Sequence, residues 1–243
     1  MFPYAEQVNA AGWYHLISFG VLIPILAIRG RRKFAGTSQP LPNRMKHFQS
    51  TATMLVLFTT LSLMVARVEW IQLFPRPTLT LQSLGAGLAM YIVAVLGMRP
   101  RWRRAVERRA RIAYLFMPET RTERAWWVGV SALAGVGEEI TWRGVQTALF
   151  AALTGSYLVA AVLTAISFGL GHIIQGWKSA AIIAVFSLGF QAIVWFTGSL
   201  YVAMAVHLAY DITAGLTYGR LGRELGYGPT PSPATESPQD PPR

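Results

Sequence analysis

Three short motifs set ionisable side chains inside otherwise apolar stretches of this chain. They are Glu138-Glu139-x-x-x-Arg143, Phe168-x-x-x-His172 and His207-x-x-x-Asp211. Four-residue spacing puts two side chains on one helical face, so Glu139 and Arg143 are expected to neutralise each other, and His207 and Asp211 to project together. Glu138 points about 100° away from Glu139, on the face of Ala134 and Trp142. The small pair Ala134 and Gly135 would let another helix come close to that face. Each motif alone has a plainer explanation: a structural ion pair with a spare Glu at a span end, or a histidine satisfied within the packing. Together they are harder to dismiss. An ionisable group at the bilayer centre costs at least a few kcal/mol, and such groups generally face one another across a shared cavity.

Two chemistries suit this set. Glu138 and His172 could hold and deprotonate a water that attacks a peptide carbonyl, with His207 and Asp211 on the oxyanion side. Alternatively, Glu138, His172, His207 and Asp211 could bind a divalent metal such as zinc that activates the water. The His-Glu-x-x-His signature of soluble zinc proteases is absent, and so is any Cys, which removes thiolate ligands and a Cys nucleophile.

The elements that must position these groups are apolar spans. Hydrophobic residues make up 53% of the 243 residues and charged ones only 14%, against roughly 25% in soluble domains. The apolar runs are Trp13 to Ile28, Thr51 to Ala66, Leu79 to Met98, Trp126 to Phe150, Tyr157 to Ile174, Ser179 to Phe196 and Leu200 to Tyr218. The fold class expected is an all-α, polytopic membrane helix bundle of about seven transmembrane helices, with an active-site cavity formed by the C-terminal four. Thr154-Gly155-Ser156 and Thr197-Gly198-Ser199 read as tight turns between spans. The stretch Arg99 to Arg124 reads as a basic helix lying on the membrane surface. By the positive-inside rule, the Arg29–Lys46 and Arg99–Arg124 segments are cytoplasmic, the N-terminus is outside and the C-terminus inside the plasma membrane. The net charge of +11 is then explained by contact with lipid head groups, not nucleic acid. Three regions follow: residues 1–124 with the N-terminal spans and basic loops, 125–220 with a protease-like core, and 221–243 as a disordered tail rich in Pro, Ser and Thr. One tension is visible at this level. His172 falls nearer the cytoplasmic end of its run than Glu138 does, so the fifth span must be shifted or tilted if the two are to meet.

In order and spacing, the three motifs resemble the CPBP family of intramembrane proteases, which includes the type II CAAX prenyl endopeptidases and Abi-type bacterial relatives. The resemblance covers about residues 125 to 220. It implies an endopeptidase, glutamate- or metal-dependent, acting on a membrane-associated peptide or protein that is CAAX-type or bacteriocin-like. It further implies that Glu138 activates water, His172 shares that water, His207 and Asp211 lie at the oxyanion side, and Glu139, Arg143 and Phe168 support them. Asp211 departs from the Asn common among the prenyl endopeptidases. An ionised Asp repels an oxyanion, so Asp211 must be protonated, orient His207 or bind a metal. The competing readings are a non-catalytic scaffold or immunity protein of the same fold, and an ion-coupled transporter.

Overall fold

The computed structural model describes residues 8–34, 43–74 and 80–227, and every regular element among them is helical. The first pass consists of α1 (Ala10–Ile17), a π segment (Ser18–Leu22) and α2 (Ile23–Phe34). Next come α3 (Arg44–Val68), α4 (Leu81–Glu107) and the short α5 (Arg111–Leu115). A continuous helical run follows, made of α6 (Arg121–Glu138), a second π segment (Glu139–Gln146) and α7 (Thr147–Thr154). Then come α8 (Tyr157–Gly171), a 3₁₀ turn (Ile173–Gln175), α9 (Trp177–Thr197) and α10 (Leu200–Glu224).

Helix starts are set by side chains that accept from otherwise unpaired N–H groups. Thr80 with Ser83 and Thr120 with Glu123 form capping boxes, and Asn9, Asn43, Ser156 and Ser199 cap their helices singly. The two Thr-Gly-Ser turns are built alike. Gly155 and Gly198 take left-handed φ of 65° and 64°, ending α7 and α9. In each, the threonine hydroxyl donates back to a carbonyl of the preceding turn.

Five of the helical passes are long and apolar enough to cross a membrane: the first pass, α3, α4, α9 and α10. Their outer faces carry exposed Leu57, Met64, Leu88, Leu96, Val185 and Trp195, as a lipid-facing surface requires. The two remaining runs of the sequence differ from ordinary spans. The run from α6 to α7 carries Glu138, Glu139 and Arg143, and α8 is an apolar helix of only 15 residues.

Two expectations are corrected. The third apolar run does not stop at Met98 to give way to a surface helix. Instead α4 continues through Pro100 to Glu107, because Trp102 and Val106 are buried on its inner face and Trp102 meets the rings of Tyr210 and Tyr218. Nor does order end at residue 220. α10 runs to Glu224, and Tyr227 is buried in a cluster with Trp102, Tyr114 and Met117. Residues 228–243 of the expected tail lie outside the described residues, as do Pro75 and Pro77.

α6 is the pivot of the bundle. α3 runs parallel to it, so that Arg44 meets Glu123, Phe48 meets Trp127 and Ser62 meets Thr141. α10 runs antiparallel on another side, with the Trp127 indole N–H donating to the Asp211 carbonyl at 2.9 Å. At the crossing, Gly135 lies against the α10 backbone; a Cβ there would come within 2.9 Å of Leu208 N and 3.1 Å of Met204 O. The small-residue patch at Ala134 and Gly135 thus receives α10, the helix that carries His207.

Candidate active site

Glu138 is the last residue of α6, and Glu139 and Arg143 fall in the π segment that follows. The Arg143 guanidinium lies 3.2 Å from Glu139 Oε1, and both residues are buried. It is sandwiched between aromatic rings, 4.1 Å from the Phe168 centroid and 5.3 Å from that of Phe190. The carboxylate and the two π faces offset part of the cost of burying this cation, whose Nε and Nη1 make no hydrogen bond.

α10 brings His207 to the same carboxylate. Its Nδ1–H donates to Glu139 Oε1 at 2.8 Å, which fixes the ring and turns Nε2 toward the cavity. Nε2 lies 3.8 Å from Glu138 Oε2 and 3.6 Å from Asp211 Oδ2. Glu138 and Asp211 therefore flank one imidazole nitrogen at distances too long for a direct hydrogen bond.

Despite the depth tension, Glu138 and His172 line one cavity. Glu138 lies sixteen residues before Thr154, and His172 fifteen after Tyr157, on helices that run in opposite directions from the Gly155 turn. α8 stops at Gly171, so His172 caps it partway through the bundle. Gly169 lets α9 pack there: a Cβ would come within 2.6 Å of the Ala180 carbonyl. His172 Nδ1 donates to the Phe168 carbonyl at 2.9 Å, and its ring lies 4.5 Å from that of Phe168. Phe168 thus orients His172 with its backbone and holds Arg143 with its ring.

Glu138, His172, His207 and Asp211 all line one cavity of about 370 Å³. Its walls are mainly apolar and aromatic, and they extend from this cluster past Phe186 and Tyr210 to His47, Trp102, Phe116 and Tyr218. Those last residues belong to the end of the bundle where α3 begins, α4 ends and α6 begins, the end richest in arginine.

Among the described residues no group of three or more His, Cys, Asp or Glu is arranged to hold a metal ion. The Nδ1 atoms of His172 and His207 are both engaged, which leaves Nε2 as the free ring atom of each. No step below passes through a metal.

Two partners had no signal in the sequence. Phe190 stacks on Arg143 and lies 5.6 Å from the His207 ring, yet it is one aromatic in an apolar span. Trp127 fixes the α10 backbone at Asp211 from eleven residues upstream of Glu138.

Residues 120–213 match the family model for the Type II CAAX prenyl endopeptidase Rce1-like family. No curated protein and no solved structure matches the chain. The matched segment begins at the N-cap of α6 and ends two residues after Asp211, so it spans all three motifs and the helices that carry them. Over this segment, less than half of the chain, the protein is similar to the CAAX-type membrane proteases, which supports the resemblance that the three motifs carry.

Proposed function

We propose that this protein is an intramembrane endopeptidase that hydrolyses a peptide bond of a membrane-associated, CAAX-type substrate with a water activated by Glu138 and His172. The observation that carries the reading is the shared cavity, lined by two carboxylates, two imidazoles and mainly apolar side chains. Glu138 takes a proton from a water held between it and His172, and the resulting hydroxide attacks the scissile carbonyl carbon. The oxyanion that forms accepts a hydrogen bond from a proton carried on His207 Nε2, the ring atom that Glu139 leaves free. Glu138 then passes its proton to the leaving nitrogen, the C–N bond breaks, and a carboxylic acid and an amine are released. In this scheme Asp211 acts on His207, 3.6 Å away, and not on the oxyanion.

The same reading makes residues 125–220 the catalytic core. It sets the arginine-rich end, to which the cavity lining extends, on the cytoplasmic side, the N-terminus outside and the C-terminus inside. A lipid-anchored peptide would then reach the chamber from that face.

The test uses the full chain in lipid nanodiscs and a quenched fluorescent peptide that ends in a farnesylated Cys-aliphatic-aliphatic-X sequence. The wild type is expected to cleave it. Glu138→Gln is expected to lower kcat by about 10²–10⁴-fold, the range for a lost general base, with peptide binding retained. A chelator is expected to leave the rate unchanged. A wild type inert toward prenylated and unprenylated anchored peptides alike, or a fully active Glu138→Gln, sinks the proposal and favours a scaffold.

A further inference from the structure

The first three helical passes lie outside the matched segment and carry no recognisable motif, yet one buried chain of polar side chains leads from them to the site. His15 on α1 is 1% exposed, and its Nε2–H donates to Ser62 Oγ on α3 at 3.1 Å. The Ser62 hydroxyl donates onward to Thr141 Oγ1 at 3.0 Å. Ser62 and Thr141 are fully buried, and Thr141 lies inside the π segment, two residues after Glu139. The starting residue is itself fixed: the buried Glu69 at the end of α3 accepts from Gly12 N at 2.6 Å, locking α1 in register with α3.

A π segment needs such anchors. It holds one more residue per turn than an α-helix, and reversion to α geometry would rotate everything beyond it by about 100°. Here that would turn Thr147 away from Thr164 of α8 and Gln191 of α9. On one side, Thr147 Oγ1 donates to the Trp142 carbonyl at 2.9 Å and accepts from Gln191 of α9 at 2.7 Å. Gln146 donates to Ser167 of α8 at 2.9 Å, and toward α3 the only side-chain hydrogen bond of the segment among the described residues is that of Thr141. The first pass also presents its own π segment at this level, with Phe19 edge-on to Trp142 at 5.6 Å.

We infer that His15 and Ser62 are positioning residues for the active site: through Thr141 they hold the π segment that aims Glu138 and Glu139. The inference rests on the endopeptidase reading, since it assigns them to that reaction. The N-terminal passes are then part of the catalytic apparatus, although they contribute no side chain to the reacting atoms.

Two readouts test it. In the nanodisc assay, Ser62→Ala, Thr141→Val and His15→Phe are expected to lower kcat about 10- to 100-fold at unchanged KM, the scale of a small misplacement of a catalytic group. His15→Gln, which keeps a donor facing Ser62, is expected to restore most of kcat. The melting temperature is expected to fall by no more than about 4 °C, as for one lost hydrogen bond. Independently of activity, ¹⁵N-histidine NMR reads the Nδ1 resonance of His207, which reports its bond to Glu139 and is assigned by loss of signal in His207→Gln. Ser62→Ala and Thr141→Val are expected to move it. An unmoved resonance in both variants, or a His15→Gln as impaired as His15→Phe, overturns the inference. If the wild type cleaves no peptide, the endopeptidase reading falls and the resonance alone decides whether the tether positions Glu139.

Discussion

Glu139 is the residue on which two others converge, since Arg143 and His207 share its Oε1, and Phe168 in turn stacks on Arg143. Its loss would leave a buried cation without a partner, so Glu139→Ala is expected to destabilise by about 3–5 kcal/mol, whereas Glu138→Gln is expected to spare stability. Thermal unfolding of the two variants side by side checks this. Asp211 offers a second contrast at this scale. In the proposed scheme it acts on His207, so Asp211→Asn, which keeps the shape and adds a donor near Nε2, is expected to retain activity within about tenfold, while Asp211→Leu is expected to lose about 10²-fold. A loss as deep in Asn as in Leu would mean that the negative charge itself is required. The motif residues were legible in the sequence because charge inside an apolar run is conspicuous. Phe190 and the Ser62–Thr141 contact were not, because an aromatic or a hydroxyl in a span has no mark that separates site from filler.

The elements carry the geometry through close approach and through where helices stop. Gly135 admits the α10 backbone, and His207 reaches Glu139 only because that crossing is tight. Gly135→Val would wedge the helices apart, with an expected cost of about 1–3 kcal/mol and a larger relative loss of kcat than of stability. Peptide cleavage and thermal melting on the same preparation separate the two effects. The sequence placed α6, α8 and α10 on the chain and pointed to Ala134 and Gly135 as a contact face. It misjudged α4, whose arginines looked like the start of a surface helix. Buried Trp102 and Val106 show why: a helix that leaves the apolar layer can stay bound by one inner face while its charges point outward.

The arginine-rich end of the molecule is tied together by one partly buried knot. Arg44 at the start of α3 binds Glu119 with two nitrogens at 3.0 and 2.9 Å and Glu123 through Nε at 2.9 Å, and it lies 4.5 Å over the Tyr114 ring. This pins α3, α5 and the start of α6 where Phe48, Phe116 and Trp127 line the cavity. Burial works against ionisation of Glu123, but the N–H groups of Thr120 and Glu119 and the Arg44 guanidinium outweigh it and hold its carboxyl below the usual value. A carboxyl depressed in the fold stabilises it above its unfolded value, near 4.3, and that contribution is lost as pH falls through the depressed folded value. Stability in detergent is therefore expected to drop below about pH 4, with a shallower drop in Glu123→Gln. A pH profile unchanged by that substitution would remove Glu123 from the cause.

By itself the sequence determined the membrane class, the helical fold, the two Thr-Gly-Ser turns and the identity of the residues worth watching. These follow from local rules: span length, the cost of charge in lipid, and the left-handed backbone that glycine allows. Only the tertiary structure decided that His172 lines the same cavity as Glu138, that Glu139 serves Arg143 and His207 at once, and that α1 and α3 reach the π segment through Ser62. Those outcomes depend on helix depth, rotation and the position of one extra residue in a turn. Apolar periodicity leaves all three open, because a span can slide or rotate by a turn with little change in its hydrophobic content.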